Sequence, residues 1–320
     1  MTHFLTVPVN ENGIIVDANI AAEVSTAATA PFAFTDVFLY SHGWWNCASS
    51  AASEYNAFSI GFAKTVGLLA GEAGCLPKWS GSSYSPLVLA VHWPSMISED
   101  QDSVANFLEA TSFFTMEHRA DSVGRHAGYS LLRLLLNARA DRAPLRFNLV
   151  GHSFGCRVLC SALEALAEDD ESRSKAQGAE LNVVLLQAAA DADSLVEGQL
   201  YGRVLKSFPK LRLLVTTSQN DKALGTWYPA AQQLSHLFEK TMQAMGAVGP
   251  QGPLYTAVDK TAPVSSAVIP TFSGRFGVAD LTPLHKSRQD LPGASSDFAG
   301  QHSDINLPQI YELLARFFAS

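Results

Sequence analysis

Two kinds of apolar pattern alternate along the chain. Short runs are apolar at nearly every position, which is typical of strands buried on both faces of a parallel sheet. Longer stretches carry apolar residues every three or four positions, which is typical of amphipathic helices. The predicted strands occupy residues 36–42, 87–93, 146–152, 181–187, 211–218 and 276–281, and the predicted helices occupy residues 54–70, 99–138, 154–168 and 307–319. This alternation predicts an α/β fold, with a mostly parallel central sheet and helices on both faces.

The N-terminal runs and the long loops complete the predicted organisation. We expect the segments HFLTVPVN and GIIVD to form an antiparallel hairpin at the edge of the sheet. Residues 71–86 and 246–274 are rich in Gly, Ser and Pro, but apolar elements flank both, which favours loops over interdomain linkers. We therefore predict a single domain over residues 1–320. Residues 226–275 are too long for a simple crossover and are a candidate lid-like insertion.

Composition excludes several classes of protein. Hydrophobic residues make up 47% of the 320 residues and charged residues 16%, so the chain can bury a large core and is not disordered. The net charge is −8 with no cluster of Lys or Arg, which argues against a nucleic-acid partner and an anionic membrane surface. No run of about 18 apolar residues occurs, so we expect no membrane span.

Compartment and cofactors follow from what the sequence lacks. The N-terminus has no basic segment followed by an apolar one, as a secretory signal would have. The four cysteines are too scattered for a disulfide framework or a zinc site. We therefore predict a cytoplasmic protein with reduced thiols. The motifs HExxH, GxGxxG and GxxxxGKS/T do not occur, and we predict no cofactor. The sequence does not indicate an oligomeric state.

One short motif carries chemistry. The sequence Gly151-His152-Ser153-Phe154-Gly155 joins a predicted strand to a predicted helix, which is the context of a G-x-S-x-G nucleophile elbow. The turn is so tight that its neighbours must be small, and it exposes the serine hydroxyl. The helix N-terminus then directs backbone N–H groups at developing negative charge. Ser153 is the candidate nucleophile; the alternative interpretation is a glycine-rich turn in which the serine caps the helix.

A serine hydroxyl needs a base, and the base needs an acid that orients it. In α/β-hydrolases these partners follow the serine in the order acid, then histidine. Asp221 lies just beyond the predicted strand at 211–218 and is the candidate acid. Asp191 and Asp193, which follow the strand at 181–187, are the alternatives.

The candidate base lies between the last strand and the final helix. His302 is near the far end of a loop that is long enough to fold back over the sheet edge. His285 comes only four residues after the strand at 276–281 and is the alternative. We predict that His302 is the base.

The loops at the carboxyl edge of the sheet offer further site residues. The backbone N–H groups of Phe154, after the nucleophile, and of Trp44, after the first main strand, are the candidate oxyanion donors. Ligands bind at this edge in open α/β sheets, and an aromatic rim suits an apolar acyl or aryl group. The candidate substrate-binding residues are Trp45, His152, Trp93 and Trp227. Alternatively, the aromatic rings bury loop backbone.

These motifs together resemble the α/β-hydrolase superfamily over nearly the whole chain. Within it, the sequence is similar to a group of bacterial serine hydrolases with an HGW loop, a WPS turn, an H-S-x-G elbow and an S-x-N-D-K-A-L segment. Here the motifs are residues 42–44, 93–95, 152–155 and 218–224. The resemblance implies Ser153 as nucleophile, Asp221 as acid and His302 as base. Relatives tend to have a proline where this chain has Ala190, which leaves the role of Asp191 open.

The function expected from these residues is that of a serine hydrolase. Its first form is a carboxylesterase that cleaves small or medium esters through an acyl-enzyme intermediate, with a small-molecule ester as partner. A lipase, a thioesterase or a peptidase would use the same three residues. An alternative of another class is a non-catalytic α/β-hydrolase-like binding protein, which would have no need of an intact set of three.

Overall fold

Eight strands form one sheet in the part of the chain that the computed structural model describes, which comprises residues 3–29, 34–44, 46–71, 85–96, 110–138, 146–235, 242–252, 261–288 and 301–320. The strands are β1 (His3–Pro8), β2 (Asp36–Ser41), β3 (Pro86–His92), β4 (Arg146–His152), β5 (Glu180–Leu186), β6 (Arg212–Thr217), β7 (Ala262–Pro263) and β8 (Phe276–Asp280). Their spatial order is β1-β3-β2-β4-β5-β6-β8-β7, and each neighbouring pair is parallel. The predicted parallel sheet is confirmed.

Helices cover both faces of this sheet, as the pattern predicts. They are Ala18–Thr29, Ala48–Gly71, Ala110–Val123, Tyr129–Ala138, Gly155–Glu168, Asp170–Gln177, Val204–Ser207, Tyr228–Ser235, Met245–Val248, Thr282–Arg288 and Pro308–Ala319, with π-helical turns at Gly124–Gly128 and Ala223–Trp227. One apolar cluster packs Val24, Met116 and Val158 against one face. A second cluster packs Phe62 and Phe318 against the other. The strands between the clusters are buried on both sides, which explains their continuous apolar runs.

Polar side chains cross the sheet near the amino ends of its central strands, in a row that we call the polar ladder. Asp36 of β2 is fully buried and accepts hydrogen bonds from Arg146 at 2.6 and 2.8 Å and from Asn148 at 3.2 Å. Asn148 of β4 accepts one from Asn182 of β5 at 3.0 Å. Asn182 in turn lies 3.5 Å from the guanidinium of Arg212 on β6. Four neighbouring strands are thus linked by side chains that have partners despite their burial.

The predicted antiparallel edge is wrong. β1 pairs in parallel with β3, from His3 opposite Leu87 to Pro8 opposite His92. The chain does turn back after β1, but its return makes only one antiparallel bridge, between Val9 and Ile15. The Asp17 side chain then accepts the N–H of Asn19 at the start of the first helix, so the returning segment is too short to become a strand.

Several predictions on segments fall partly outside the described residues. The helical stretch at 99–138 is described from residue 110, and of the loop at 71–86 only its two ends are described. The lid-like insertion at 226–275 includes the undescribed residues 236–241 and 253–260 and stays a prediction. No helix in the described residues is both long and apolar enough to cross a bilayer.

Candidate active site

Ser153 lies on a sharp turn between β4 and the helix Gly155–Glu168. Its backbone has φ = 54°, a left-handed conformation that a residue with a side chain rarely adopts. The Ser153 N–H donates to the carbonyl of Leu186 at 3.0 Å, which ties the turn to the end of β5. A methyl group on Gly155 would lie 2.1 Å from the carbonyl oxygen of Ser41, so the helix can approach β2 this closely only with glycine there. The turn therefore has the features of a nucleophile elbow.

Asp221 and His302 form a buried hydrogen-bonded pair. Nδ1–H of His302 donates to Oδ2 of Asp221 at 2.7 Å, and both side chains are nearly inaccessible to solvent. The carboxylate has two further donors: Nε2 of Gln187 at 2.8 Å and the backbone N–H of Leu224 at 3.0 Å. Because donors of three kinds surround it, the carboxylate is fixed in one orientation, and Nε2 of the imidazole remains to face a reacting group.

The pair lies beside the elbow. Nε2–H of His152, the residue before Ser153, donates to the backbone carbonyl of His302 at 3.0 Å, and the two imidazole rings are 5.0 Å apart. Among the described residues, no hydrogen bond joins the Ser153 hydroxyl to the His302 ring. Catalytic contacts of this kind often tighten only when substrate binds.

The alternative residues have other partners. His285 is fully buried; its Nδ1 lies 2.9 Å from Oγ of Ser218, and its Nε2 lies 3.3 Å from the carbonyl of Asp304. Burial lowers the pKa of His285. The Asp191 carboxylate accepts the hydroxyl of Tyr228 at 2.9 Å. The structure therefore brings His302, and not His285, onto Asp221.

The loop after β2 packs directly on the elbow. A methyl group on Gly43 would lie 2.8 Å from Cβ of Ser153, so the backbone next to Trp44 lies close to the candidate nucleophile. The other candidate donor, Phe154, immediately precedes the helix Gly155–Glu168. N–H groups at such a position find no acceptor within the helix. The Gly43 backbone and Phe154 thus both adjoin Ser153, and their use as oxyanion donors stays a prediction.

A buried histidine stabilises this loop. The His42 ring stacks on Trp93 at 5.3 Å with an interplanar angle of 8°. Nδ1 of His42 donates to the carbonyl of Gly43 at 2.7 Å, and its Nε2 accepts the Trp93 N–H at 3.3 Å. Burial lowers the pKa of His42 to about 3, which fits a neutral ring in this tautomer. Trp93 is fully buried, so it supports the loop and has no exposed surface to offer a substrate.

Aromatic rings line one side of the elbow. Phe154 lies 5.7 Å from Trp44 and 5.2 Å from Phe113, and Phe113 lies 5.4 Å from Tyr228. Trp227, in the adjacent turn, is half-buried, and Trp45 lies outside the described residues. These rings form a continuous apolar wall beside the candidate oxyanion donors.

Sequence reasoning missed two glutamines that organise the acid and the base. Gln187 has φ = 45° just after β5, and its amide donates to Asp221 at 2.8 Å and to the carbonyl of Gln301 at 3.3 Å. The Gln301 amide donates to the carbonyl of His285 at 2.8 Å. A polar residue that ends the apolar strand was the available signal for Gln187. Nothing local distinguishes Gln301.

Comparison with known proteins identifies a family for this chain. No curated protein matches the chain. The described residues contain no cluster of three or more His, Cys, Asp or Glu that could hold a metal ion. A family model described as "Alpha/beta hydrolase of unknown function (DUF900)" matches residues 75–288, about two thirds of the chain, including Ser153 and Asp221. The chain belongs to this family of α/β-hydrolases.

Proposed function

We propose that this α/β-hydrolase is a serine carboxylesterase that cleaves small or medium esters with Ser153 as nucleophile, His302 as base and Asp221 as acid. The observation that carries the proposal is the 2.7 Å bond between His302 and Asp221, next to a serine with a positive φ. A buried Asp–His pair beside a strained serine is the arrangement that activates a hydroxyl group for acyl transfer.

In the proposed reaction, Oγ of Ser153 attacks the ester carbonyl while Nε2 of His302 takes the hydroxyl proton. The Asp221 carboxylate keeps the proton on Nδ1 of His302 and stabilises the imidazolium that forms. The imidazolium then returns its proton to the departing alkoxide, which leaves an acyl group on Ser153. A water molecule, deprotonated by the same imidazole, then attacks the acyl group, and the imidazolium gives its proton to Oγ of Ser153 as the acid leaves.

The negative charge on the tetrahedral intermediate needs fixed donors. The N–H groups of Phe154 and Trp44 serve this role in the proposal, since Gly43 brings the Trp44 loop against Ser153. Removing one donor of this type costs about 3–4 kcal/mol of transition-state stabilisation. The glycine at position 43 is therefore part of the chemistry as well as of the packing.

The aromatic wall supports an apolar acyl group as the substrate feature next to Ser153. Trp44 is half-buried and offers a ring surface without charge, and the buried rings of Phe113 and Phe154 pack behind it. Apolar ring surfaces of this kind favour hydrocarbon or aryl groups, which a few polar atoms then orient. A lipase, a thioesterase or a peptidase would share the three residues, and their substrates would differ in the group that leaves.

Covalent labelling by a fluorophosphonate tests the nucleophile. The wild-type protein should be labelled, and Ser153→Ala should not. Ser287→Ala is a matched control, because the Ser287 hydroxyl donates to the carbonyl of Leu284 within the helix Thr282–Arg288. An unlabelled wild-type protein would support a non-catalytic binding protein, and labelling of Ser153→Ala would place the nucleophile elsewhere.

A series of p-nitrophenyl esters from acetate to palmitate tests the substrate class. For a carboxylesterase, kcat/KM should be highest for short or medium chains. A maximum at palmitate would favour a lipase. If thioesters or peptide amides were cleaved faster than every oxygen ester, the carboxylesterase proposal would be wrong while the nucleophile could still be correct.

A further inference from the structure

A second carboxyl group lies close to the candidate active site and has no role in the reaction just described. Glu54, on the helix Ala48–Gly71, has a side chain that is 13% exposed. One of its oxygens accepts the hydroxyl of Tyr40 at 2.5 Å and lies 3.7 Å from Nδ1 of His152. The other accepts the side-chain amide of Asn46 at 3.4 Å. Glu54 therefore contacts both the strand that leads to Ser153 and the loop that contains Trp44, one of the two candidate oxyanion donors.

The surroundings of Glu54 contain no permanent cation among the described residues. The titratable groups that face it are Tyr40 of β2, Tyr55 of its own helix, Tyr311 of the C-terminal helix, His152 and His302. Burial raises the pKa of Glu54, and the donors Tyr40 and Asn46 and the nearby His302 oppose that rise. A buried carboxyl group without a Lys or Arg partner costs stability, so its position next to a candidate base points to a function.

The His152 ring connects Glu54 to His302. Nε2–H of His152 donates to the His302 carbonyl, so in the neutral ring Nδ1 is the nitrogen that faces Glu54. Burial lowers the pKa of His152 to about 3, so this ring stays neutral. No described donor satisfies Nδ1 of His152. The ring is therefore a neutral spacer between two ionisable groups.

We propose that Glu54 is a positioning residue for the base: its carboxylate faces His302 from the opposite edge of the His152 ring and stabilises the imidazolium form of His302. This proposal rests on the proposed function, because it assumes that His302 takes the serine proton. Asp221 and Glu54 would then act on one imidazole from two sides. Asp221 orients the ring by a direct hydrogen bond, and Glu54 acts only through its charge.

The Asn46 contact extends the same role to the oxyanion loop. The Asn46 amide lies 3.4 Å from both Glu54 and the carbonyl of Gly43. The backbone of Asn46 is joined to the Ser95 hydroxyl by two hydrogen bonds of 3.0 Å. Glu54 thus links the loop beside Ser153 to His152, whose ring donates a hydrogen bond to the His302 carbonyl. A change at Glu54 should alter the rate of acyl transfer more than the affinity for substrate.

Glu54→Gln removes the charge and keeps the size of the side chain. We expect the acid limb of the pH profile for fluorophosphonate labelling to move to lower pH, by about half a unit to one unit, because a nearby carboxylate favours the imidazolium. With p-nitrophenyl butyrate, kcat should fall about three- to tenfold, because a weaker base takes the serine proton less readily, and KM should change little. Glu54→Asp, which keeps the charge, should restore the position of the limb.

Glu117→Gln is the matched control. Glu117 is also a buried glutamate whose pKa is raised by burial, but unlike Glu54 it pairs with an arginine, Arg157. This variant should melt at a lower temperature with an unshifted limb. An unshifted limb in Glu54→Gln would overturn the inference. If Glu54→Gln does not fold, Tyr40→Phe tests the same point, because losing the phenol donor raises the pKa of Glu54 and should also move the limb. Labelling of Ser153→Ala would instead refute the proposed function, so the two failures are distinguishable.

Discussion

Gly155→Ala tests the link between packing and chemistry most directly. The added methyl group would lie 2.1 Å from the carbonyl oxygen of Ser41 and 2.6 Å from that of His42. Comfortable contacts between carbon and other heavy atoms begin at about 3.5 Å, so the helix and β2 must separate by more than 1 Å, about 1.4 Å if the helix alone moves. Both neighbours are backbone atoms at the end of a central strand, and neither can rotate out of the way.

The magnitude has two parts. Overpacking of this size costs about 1–3 kcal/mol, and the better helix propensity of alanine offsets at most about 1 kcal/mol. For 320 residues, an unfolding entropy of about 2.1 cal/mol/K per residue converts a net loss of about 2 kcal/mol into a fall in Tm of about 3 °C. A displacement of about 1 Å at the elbow should slow the reaction about 100-fold.

Differential scanning fluorimetry and the rate of fluorophosphonate labelling measure the two parts separately. Gly67→Ala is the control, because a methyl group there meets nothing within 4 Å and lies in the helix Ala48–Gly71. That variant should keep the wild-type labelling rate and melt at the same or a slightly higher temperature. If Gly155→Ala behaved like Gly67→Ala in both assays, the close approach of the elbow helix to β2 would not control the position of Ser153.

The remaining predictions concern the acid, the base and the response to pH. Asp221→Asn should lower kcat for p-nitrophenyl butyrate by about 10⁴, since the imidazole loses the partner that orients it, whereas Asp191→Asn should have a small effect. His302→Ala should abolish labelling, and His285→Ala should leave it near wild type in samples with matched melting curves. Thermal stability should decrease as pH falls from about 6.5 toward 3, because the folded-state pKa of His42 is about 3 and the unfolded chain takes up the proton first.

Each of these has a result that would contradict it. A larger loss in Asp191→Asn than in Asp221→Asn would move the acid to the end of β5. Labelling that survives in His302→Ala but not in His285→Ala would exchange the two histidines. A Tm that stays constant between pH 7 and pH 4 would mean that the stacked His42 ring is protonated in the folded protein as easily as in the unfolded chain.

The sheet could be predicted from sequence where burial on both faces leaves a local signature. β2, β4, β5 and β6 are buried along nearly their whole length, and their apolar runs are visible residue by residue. The direction of β1 has no such signature. An edge strand next to a turn reads equally well as a hairpin arm, and its parallel pairing with β3 depends on a neighbour more than 80 positions away in the chain.

The candidate site could be predicted in its reactive groups and not in their surroundings. The elbow has a local sequence rule, and the order of acid and histidine along the chain leaves a few candidates. The positions of Asp221 after a strand and of His302 late in a long loop favour this pair, which the structure brings to 2.7 Å. Glu54 and Gln187 follow no such rule, because their positions depend on which elements pack together. The position of Trp93 after a strand predicts a substrate contact, and this prediction is wrong because Trp93 is buried and stacks on His42, a contact between distant parts of the chain.

The polar ladder bears on which alignments the strands can adopt. Valine and leucine side chains in neighbouring strands are nearly interchangeable, so apolar packing alone discriminates weakly between correct pairing and a shift along the strand. A shift of β4 against β2 would separate the carboxylate of Asp36 from Arg146 and Asn148. A buried charge without a partner costs far more free energy than a poor apolar contact. The polar side chains at the amino ends of the strands therefore favour one register of the sheet. Because the strands are rigid, that register also determines the distance between Ser153 and Asp221 at the opposite ends.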